Sequence, residues 1–282
     1  MLQIGIDIGG STVKAAAVRD GVVEWTGKSS PYARPARNEL ERAIAEAVRQ
    51  LRGETPDAAG ICIPGILNEA RSTVTHSVNV PGLMGAPLAA LLRPLGAPRP
   101  PVVVSDANAT AYDIYMTRLF AGRLLMLVIG TGVGASVLDE GGKFLRVDQD
   151  SAGHIGQFDV SIEGHPVIGP DGGRGSLEGY IGGPALTERY GSVEAAFRDM
   201  TPTDVPMRAL ARAIRVCHAM YRPSHICLGG GIGIRLGPVL PGLRDLVDDH
   251  LTHIARPERT LTIAEHDFHA AIGAARLADC VG

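Results

Sequence analysis

The chain has 282 residues, 45% of them hydrophobic and 20% charged, with a net charge of −3. Those values belong to ordinary globular proteins, and the length sets a prior of about two domains. They exclude a basic nucleic-acid surface and a Lys/Arg-rich helix lying on a membrane, and no run of about eighteen apolar residues offers a transmembrane helix. The opening MLQIGIDIGG has neither the charged start nor the long apolar stretch of a signal peptide. Cys62, Cys217, Cys227 and Cys280 lack C-x-x-C spacing, so they read as buried free thiols in a reducing compartment, and the protein is expected in the cytoplasm.

Gln3 to Ile8 alternates into a strand, Gly9-Gly10 turns the chain, and Thr12 to Val18 returns as the second arm of a hairpin. Val22 to Thr26 reads as a third strand. Leu40, Ala43, Ile44, Ala47, Val48 and Leu51 recur at helical spacing, with Asn38 as the expected N-cap and Gly53 as the stop. Ala58 to Ile63 is a short buried strand ending in Pro64-Gly65. A Pro-rich stretch, Pro94 to Pro101, leads into the strand of VVVSDANATAYDIY, and a helix is expected over Ala107 to Arg118. The plan then repeats. Arg123 to Ile129 is a strand, Gly130 to Gly134 a turn, Ala135 to Leu138 a strand, and Arg208 to Met220 a helix. His225 to Leu228 is a strand running into Gly229-Gly230-Gly231, and Ala270 to Ala278 forms a closing helix. Hairpins followed by helices, twice over, predict two related α/β domains with mixed sheets.

Glycine is nearly twice as frequent as usual, at 36 residues, and it clusters where strands end. Glycine lets backbone approach a ligand closely, and consecutive N–H groups in such a turn form an anion-binding nest. Tight turns alone explain any one cluster; three at strand ends point to phosphate. Two familiar nucleotide motifs fail. Gly27-Lys28-Ser29 would need an upstream glycine where Val22 stands, and no G-x-G-x-x-G follows a strand. Asp7 lies just before Gly9-Gly10-Ser11-Thr12, and a carboxylate beside a phosphate nest calls for a divalent cation between them. Asp106 stands at a strand-to-helix junction, where an acid can cap the helix or act as a base; the local sequence leaves both open.

In this order and spacing the motifs resemble the ROK family, the sugar kinases and related repressors of the actin-like, sugar-kinase and Hsp70 superfamily. GIDIGGSTVKAAAV is similar to the first phosphate hairpin and VIGTGVGASV to the second. GICIPGILN and NVPGL are similar to the segments that shape the sugar cleft. SDANATAY is similar to the N-D-A-N-A stretch, ICLGGGIG to the adenosine loop and HAAIGAARLA to the closing helix. The resemblance implies two ribonuclease-H-like (actin-like ATPase) domains with an active-site cleft between them: residues 1–117 plus the helix 270–282, and residues 118–269. It implies ATP and Mg²⁺, a small-molecule sugar substrate and a homodimer. Asp106 would be the general base for a sugar hydroxyl, the 6-hydroxyl of a hexose or amino sugar. A position near a helix N-terminus would also help to hold it ionised. Nucleotide contacts would come from Asp7 (Mg²⁺ through water), Gly9, Gly10, Ser11, Thr12, Lys14, Gly130, Thr131, Gly132, Gly134, Gly229, Gly230 and Gly231. Sugar contacts would come from Gly65, Ser105, Asp106, His154, Gln157 and Glu178.

The sequence departs from the family pattern G-E-x-G-H…C-x-C-G-x-x-G-C-x-E. His154 stands where the sugar-binding glutamate is expected and Gln157 where the zinc-binding histidine is expected. Gly169, Asp171 and Ser176 occupy the cysteine positions, so no structural zinc is expected. Ser105 replaces the asparagine before the base, and Glu178 is kept. A non-catalytic sugar sensor on the same fold is the alternative reading. With the first hairpin starting at residue 4, no winged-helix DNA-binding domain is expected ahead of it, and no nucleic-acid or membrane partner is expected.

Overall fold

The computed structural model describes residues 1–77, 79–85, 87–147, 152–170, 172–251 and 258–278. The chain divides into two compact units, Met1–Asp113 with Phe268–Gly282, and Ile114–Asp267.

The first unit is built on strands β1 (Leu2–Ile8), β2 (Val13–Arg19), β3 (Val22–Lys28) and β4 (Ala58–Cys62). The short pair β5 (Ile66–Leu67) and β6 (Val74–His76) follows, then β7 (Val102–Val104). The main sheet has the order β3-β2-β1-β4-β7. β1 and β2 form an antiparallel hairpin, and β4 lies parallel to β1 on its other side. Helices α1 (Arg37–Ala47) and α2 (Leu88–Leu92) belong to this unit, and α3 (Asp106–Arg118) carries the chain out of it. Its core gathers Ile4, Ile6, Val13, Leu40, Ile44, Ile61 and Leu83.

The second unit repeats the scheme. β8 (Leu124–Ile129) and β9 (Val133–Leu138) form a hairpin, and β10 (His225–Gly229) lies parallel to β8. β11 (Thr260–Ile263) adds parallel to β10, giving the order β11-β10-β8-β9. The helices are α4 (Leu177–Ile181), α5 (Gly183–Tyr190), α6 (Val193–Asp199), α7 (Val205–Tyr221), α8 (Gly230–Gly233) and α9 (Leu240–Asp248). Every residue of β8 is buried, as expected of a central strand covered on both faces.

The last helix, α10 (His269–Leu277), returns to the first unit. It is rich in alanine, and the sheet beneath it offers glycine, so backbone meets backbone. A Cβ added at Gly5 would sit 1.8 Å from the carbonyl oxygen of Ala271, and one at Gly60 2.0 Å from that of Ala274. A buried acid fixes the helix: Asp113 meets His269 Nδ1 at 2.6 Å and Arg276 Nη1 at 2.7 Å.

Several expectations are corrected. Asn38 is not the cap of α1. The helix starts at Arg37 after Ala36, and the Asn38 side chain instead accepts from the neighbouring Glu39 N–H, a local bond that competes with capping. α7 starts three residues before Arg208, because Pro206 fits a first turn whose N–H groups need no helical partner. The third glycine cluster is no simple turn: Gly230 takes φ +76 and opens α8. Cys62, Cys217 and Cys227 are buried free thiols; Cys280 lies outside the described residues.

Candidate functional site

In the first unit the β1–β2 hairpin carries the site. Gly9 N–H donates to the Thr12 carbonyl at 2.9 Å and closes the turn. Among the described residues the N–H groups of Gly10, Ser11 and Thr12 meet no protein acceptor, so the turn offers donors to an anion. Two residues that the sequence pattern does not single out brace this turn. The Tyr32 hydroxyl donates to the Gly9 carbonyl at 2.7 Å, and Ser29 Oγ accepts from Val13 N–H at 2.9 Å. They lie in the stretch after β3, where no periodicity marks them.

Asp7, the penultimate residue of β1, lies directly across from Lys14 on β2. Lys14 Nζ stands 3.6 Å from Asp7 Oδ2, so the predicted metal carboxylate and the predicted phosphate lysine form a cross-strand ion pair.

Asp106 begins α3, and the capping question resolves locally. Ser105 is the N-cap: its carbonyl accepts from Ala109 N–H at 3.0 Å and its Oγ from Asn108 N–H at 3.1 Å. Asp106 is the first helical residue and accepts from Ala107 N–H at 2.7 Å. Solvent reaches its side chain, yet the protein packed around it disfavours charge. That crowding, aided by the negative charge of Asp7, pushes the Asp106 carboxyl up to about 6; the Ala107 N–H and Lys14 oppose it. The helix-start donor acts in the expected direction and favours the ionised form, but desolvation outweighs it.

Gly65 has a structural reason of its own. It takes φ +120, and a Cβ there would sit 2.3 Å from the His76 carbonyl across β5–β6.

In the second unit the β8–β9 hairpin repeats the turn. Gly130 N–H donates to the Gly132 carbonyl at 2.9 Å, while the N–H groups of Thr131 and Gly132 meet no acceptor among the described residues. Gly183, at the start of α5, donates to the Gly130 carbonyl at 2.9 Å. Glu178 on α4 holds the hairpin arm: its Oε1 accepts from Val133 N–H at 2.9 Å. Oε2 meets no donor among the described residues. Gly156 is required there, since a Cβ would stand 2.4 Å from Glu178 Oε1. His154 and Gln157 flank Gly156 and are both exposed, with Gln157 N–H donating to the His154 carbonyl. Ser176, at one of the family's cysteine positions, caps α4 by accepting from Gly179 N–H; Asp171 lies outside the described residues. Gly229 ends β10, and Gly230 lies so close to β8 that a Cβ would sit 2.5 Å from the Ile129 carbonyl.

The two mixed sheets and their glycine hairpins define a two-domain actin-like ATPase fold of the sugar-kinase type. Its solved neighbours carry the same chain course. The ROK hexokinase from Thermus thermophilus superposes with a TM-score of 0.76 at 23% identity, covering 99% of this chain and 98% of that one. A ROK family glucokinase from Streptomyces griseus, in complex with glucose and AMPPNP, gives 0.75 at 24% identity, covering 99% of each. The ROK family matches residues 3–280, and the chain belongs to that family. Its curated relatives include the N-acetylmannosamine kinase of Vibrio cholerae, 27% identical over 254 residues, 84% of this chain and 86% of the relative. They also include the glucokinase of Streptomyces coelicolor, 30% identical over 238 residues, 76% of this chain and 70% of the relative. Among the described residues no helix is long and apolar enough to cross a membrane.

Proposed function

We propose that the chain transfers the γ-phosphoryl group of ATP to a hydroxyl of a hexose or N-acetylated hexose, the 6-hydroxyl in the first instance. The observation that carries this reading is in the first unit. A hairpin with unengaged N–H donors carries the Asp7–Lys14 ion pair beside its turn, and a second acid, Asp106, opens α3 in the same unit. Phosphoryl transfer asks a protein for little covalent chemistry and much positioning and charge stabilisation.

Asp106 accepts the proton of the sugar hydroxyl as its oxygen attacks the γ-phosphorus in line. A carboxyl near 6 suits a general base, because it is ionised at neutral pH and binds a proton more strongly than an ordinary carboxylate. The N–H groups of Gly10, Ser11 and Thr12, with those of Thr131 and Gly132, hold phosphate oxygens and stabilise their charge. Gly229, Gly230 and Gly231 leave room for the adenosine. Asp7 would hold Mg²⁺ through water, and that ion, when bound, supplies charge neutralisation at the phosphate oxygens. Lys14 orients Asp7 and adds positive charge. Glu178 keeps Oε2 for sugar hydroxyls, Ser105 and His154 meet others, and Gly65 and Gln157 shape the approach. His154 offers one acceptor or one or two donors where a glutamate would only accept, which points away from simple copying of a glucose site. The relatives' names supply both candidates, glucose and N-acetylmannosamine.

Mg-ATP-dependent ADP release across hexoses, amino sugars, N-acetyl sugars and polyols tests this, with Asp106→Asn alongside. Sugar-dependent turnover should fall by about 10²- to 10⁴-fold in the variant while nucleotide binding persists. Full activity in Asp106→Asn would remove the assignment. The second reading, a sugar sensor without turnover, draws on His154 and Ser105 replacing the family's polar groups. Calorimetric sugar binding with no ADP formed by the wild type would put it first.

A further inference from the structure

A recess with a volume of about 350 Å³, in the range of small-ligand sites, lies wholly within the second unit. Its wall is one face of α7. Arg208, Arg212 and Arg215 follow one another at i, i+4 and i+7, so they project on the same side of the helix. The opposite face of α7 is core, with Leu210, Ile214 and Cys217 fully buried.

The ordinary reading of arginines on a helix is a solvated face laced with i,i+4 acids. Here that fails: the 17 residues of α7, VPMRALARAIRVCHAMY, include no Asp or Glu, and the N-cap Asp204, four residues before Arg208, accepts instead from Thr201 N–H and the Tyr190 hydroxyl. Among the described residues no carboxylate lies within ion-pair distance of Arg208, Arg212 or Arg215. Two of the guanidiniums are nevertheless held. Arg212 donates to the Ser161 carbonyl, and Arg215 donates to the Leu246 carbonyl at 2.9 Å. Burial and the neighbouring Arg212 charge push the Arg215 guanidinium below its ordinary value, as expected of crowded positive charge. Such concentration of charge stands out in a chain whose net charge is −3.

The remaining lining is mixed. Ile162 and Leu246 add apolar lining, and the exposed Glu163 and His250 add polar lining. Planar guanidiniums recognise phosphate with paired, charge-assisted hydrogen bonds. A carboxylate and an imidazole in the same lining suit hydroxyl groups. We infer that this recess binds a small phosphate monoester of a sugar or polyol, with the phosphate on Arg208, Arg212 and Arg215 and the hydroxyls on Glu163 and His250. The inference does not rest on the kinase reading, since it requires no phosphoryl transfer, although the product under that reading is of this chemical class.

The test is direct binding, so that it stands apart from turnover. The full chain is titrated calorimetrically with a hexose 6-phosphate, the parent hexose and inorganic phosphate. The same titrations are run on Arg208→Gln, Arg208→Gln/Arg212→Gln and Glu163→Gln. The Arg208 guanidinium makes no hydrogen bond to the described chain, so its replacement removes charge without removing a structural contact. Hexose 6-phosphate affinity should fall about tenfold for Arg208→Gln and about a hundredfold for the double variant, the size of one charge-assisted bond for each arginine. Hexose binding should be unchanged in both, and hexose 6-phosphate should bind more weakly at high salt. Equal hexose 6-phosphate affinity in the wild type and the double variant would overturn the site. Inorganic phosphate binding as tightly as the ester, with Glu163→Gln silent, would overturn the sugar half of the assignment.

Discussion

The two glycine hairpins share a backbone plan and differ in how they are charged. Each is the antiparallel opening of a mixed sheet, each closes with a glycine N–H on a carbonyl two or three residues on, and each leaves N–H groups at its tip. The first carries Asp7 and Lys14 facing each other beside its turn and is braced by Tyr32 and Ser29. The second has no ionisable residue in either arm, LLMLVI or VGASVL, and receives its acid from outside, as Glu178 on α4. The comparison separates two needs. Under the proposed function, a turn that only cradles phosphate can be neutral, while one that also has to position a cation and tune a base would carry charge within its strands.

The largest break of that comparison is Asp7→Asn. Under the proposed function it removes the cation's carboxylate, and turnover should fall about a hundredfold or more, measured as ADP release over a range of Mg²⁺ concentrations. If the Asp7–Lys14 pair only staples the strands, turnover stays and the melting temperature alone shifts. At the second hairpin, Glu178→Ala leaves Val133 N–H without its acceptor. It should cost about 1–3 kcal/mol, read as a melting temperature lower by roughly 2–4 °C per kcal/mol. Glu178→Gln keeps an acceptor oxygen and should restore most of that stability while still changing sugar affinity.

The pH profile sharpens the electrostatic half. As the proposed base, Asp106 would have to be ionised to accept a proton, so kcat/KM should drop as pH falls through about 6. Lys14→Met removes a charge that lowers this pKa and should move the acid limb upward. The stability sign is opposite to that of a salt-bridged acid. The native carboxyl holds its proton more tightly than the unfolded one, so its contribution opposes folding above about 6 and is relieved as pH falls toward the ordinary carboxylate value. The smallest expected effect is Ser105→Ala, about 1 kcal/mol for a lost N-cap, seen by denaturant unfolding.

Much of the fold is legible in the sequence because it is local. The alternation of β1, the apolar run of β2, the buried run of β8 and the apolar spacing of α1 each declare an element within a few residues. β11 escapes such a reading: TLTI is four residues long, and its place is set by parallel pairing to β10, a partner far away in the chain. α4 to α6 escape it as well, since they are short and their starts rest on single Ser or Gly caps. Within the site, the acid at the head of α3 is visible, but the residue that caps the helix is not. SD presents two capping side chains in succession, and only the hydrogen bonds of Asn108 and Ala109 decide between them. The bond from Val133 to Glu178 spans 45 positions, and no spacing rule reaches that far.

The glycines under α10 carry a consequence for how the protein is made. Cys62 Sγ and the Ala270 carbonyl are in contact although 208 positions apart, and the sheet face they share is shaped to receive backbone rather than side chains. A ribosome therefore emits the first sheet long before the segment that covers it. Until that segment emerges, β1 and β4 present an uncovered small-residue face, while residues 114–267 are already complete and free to fold. Proteolysis of stalled chains should find residues 114–267 resistant before the sheet that precedes them in sequence.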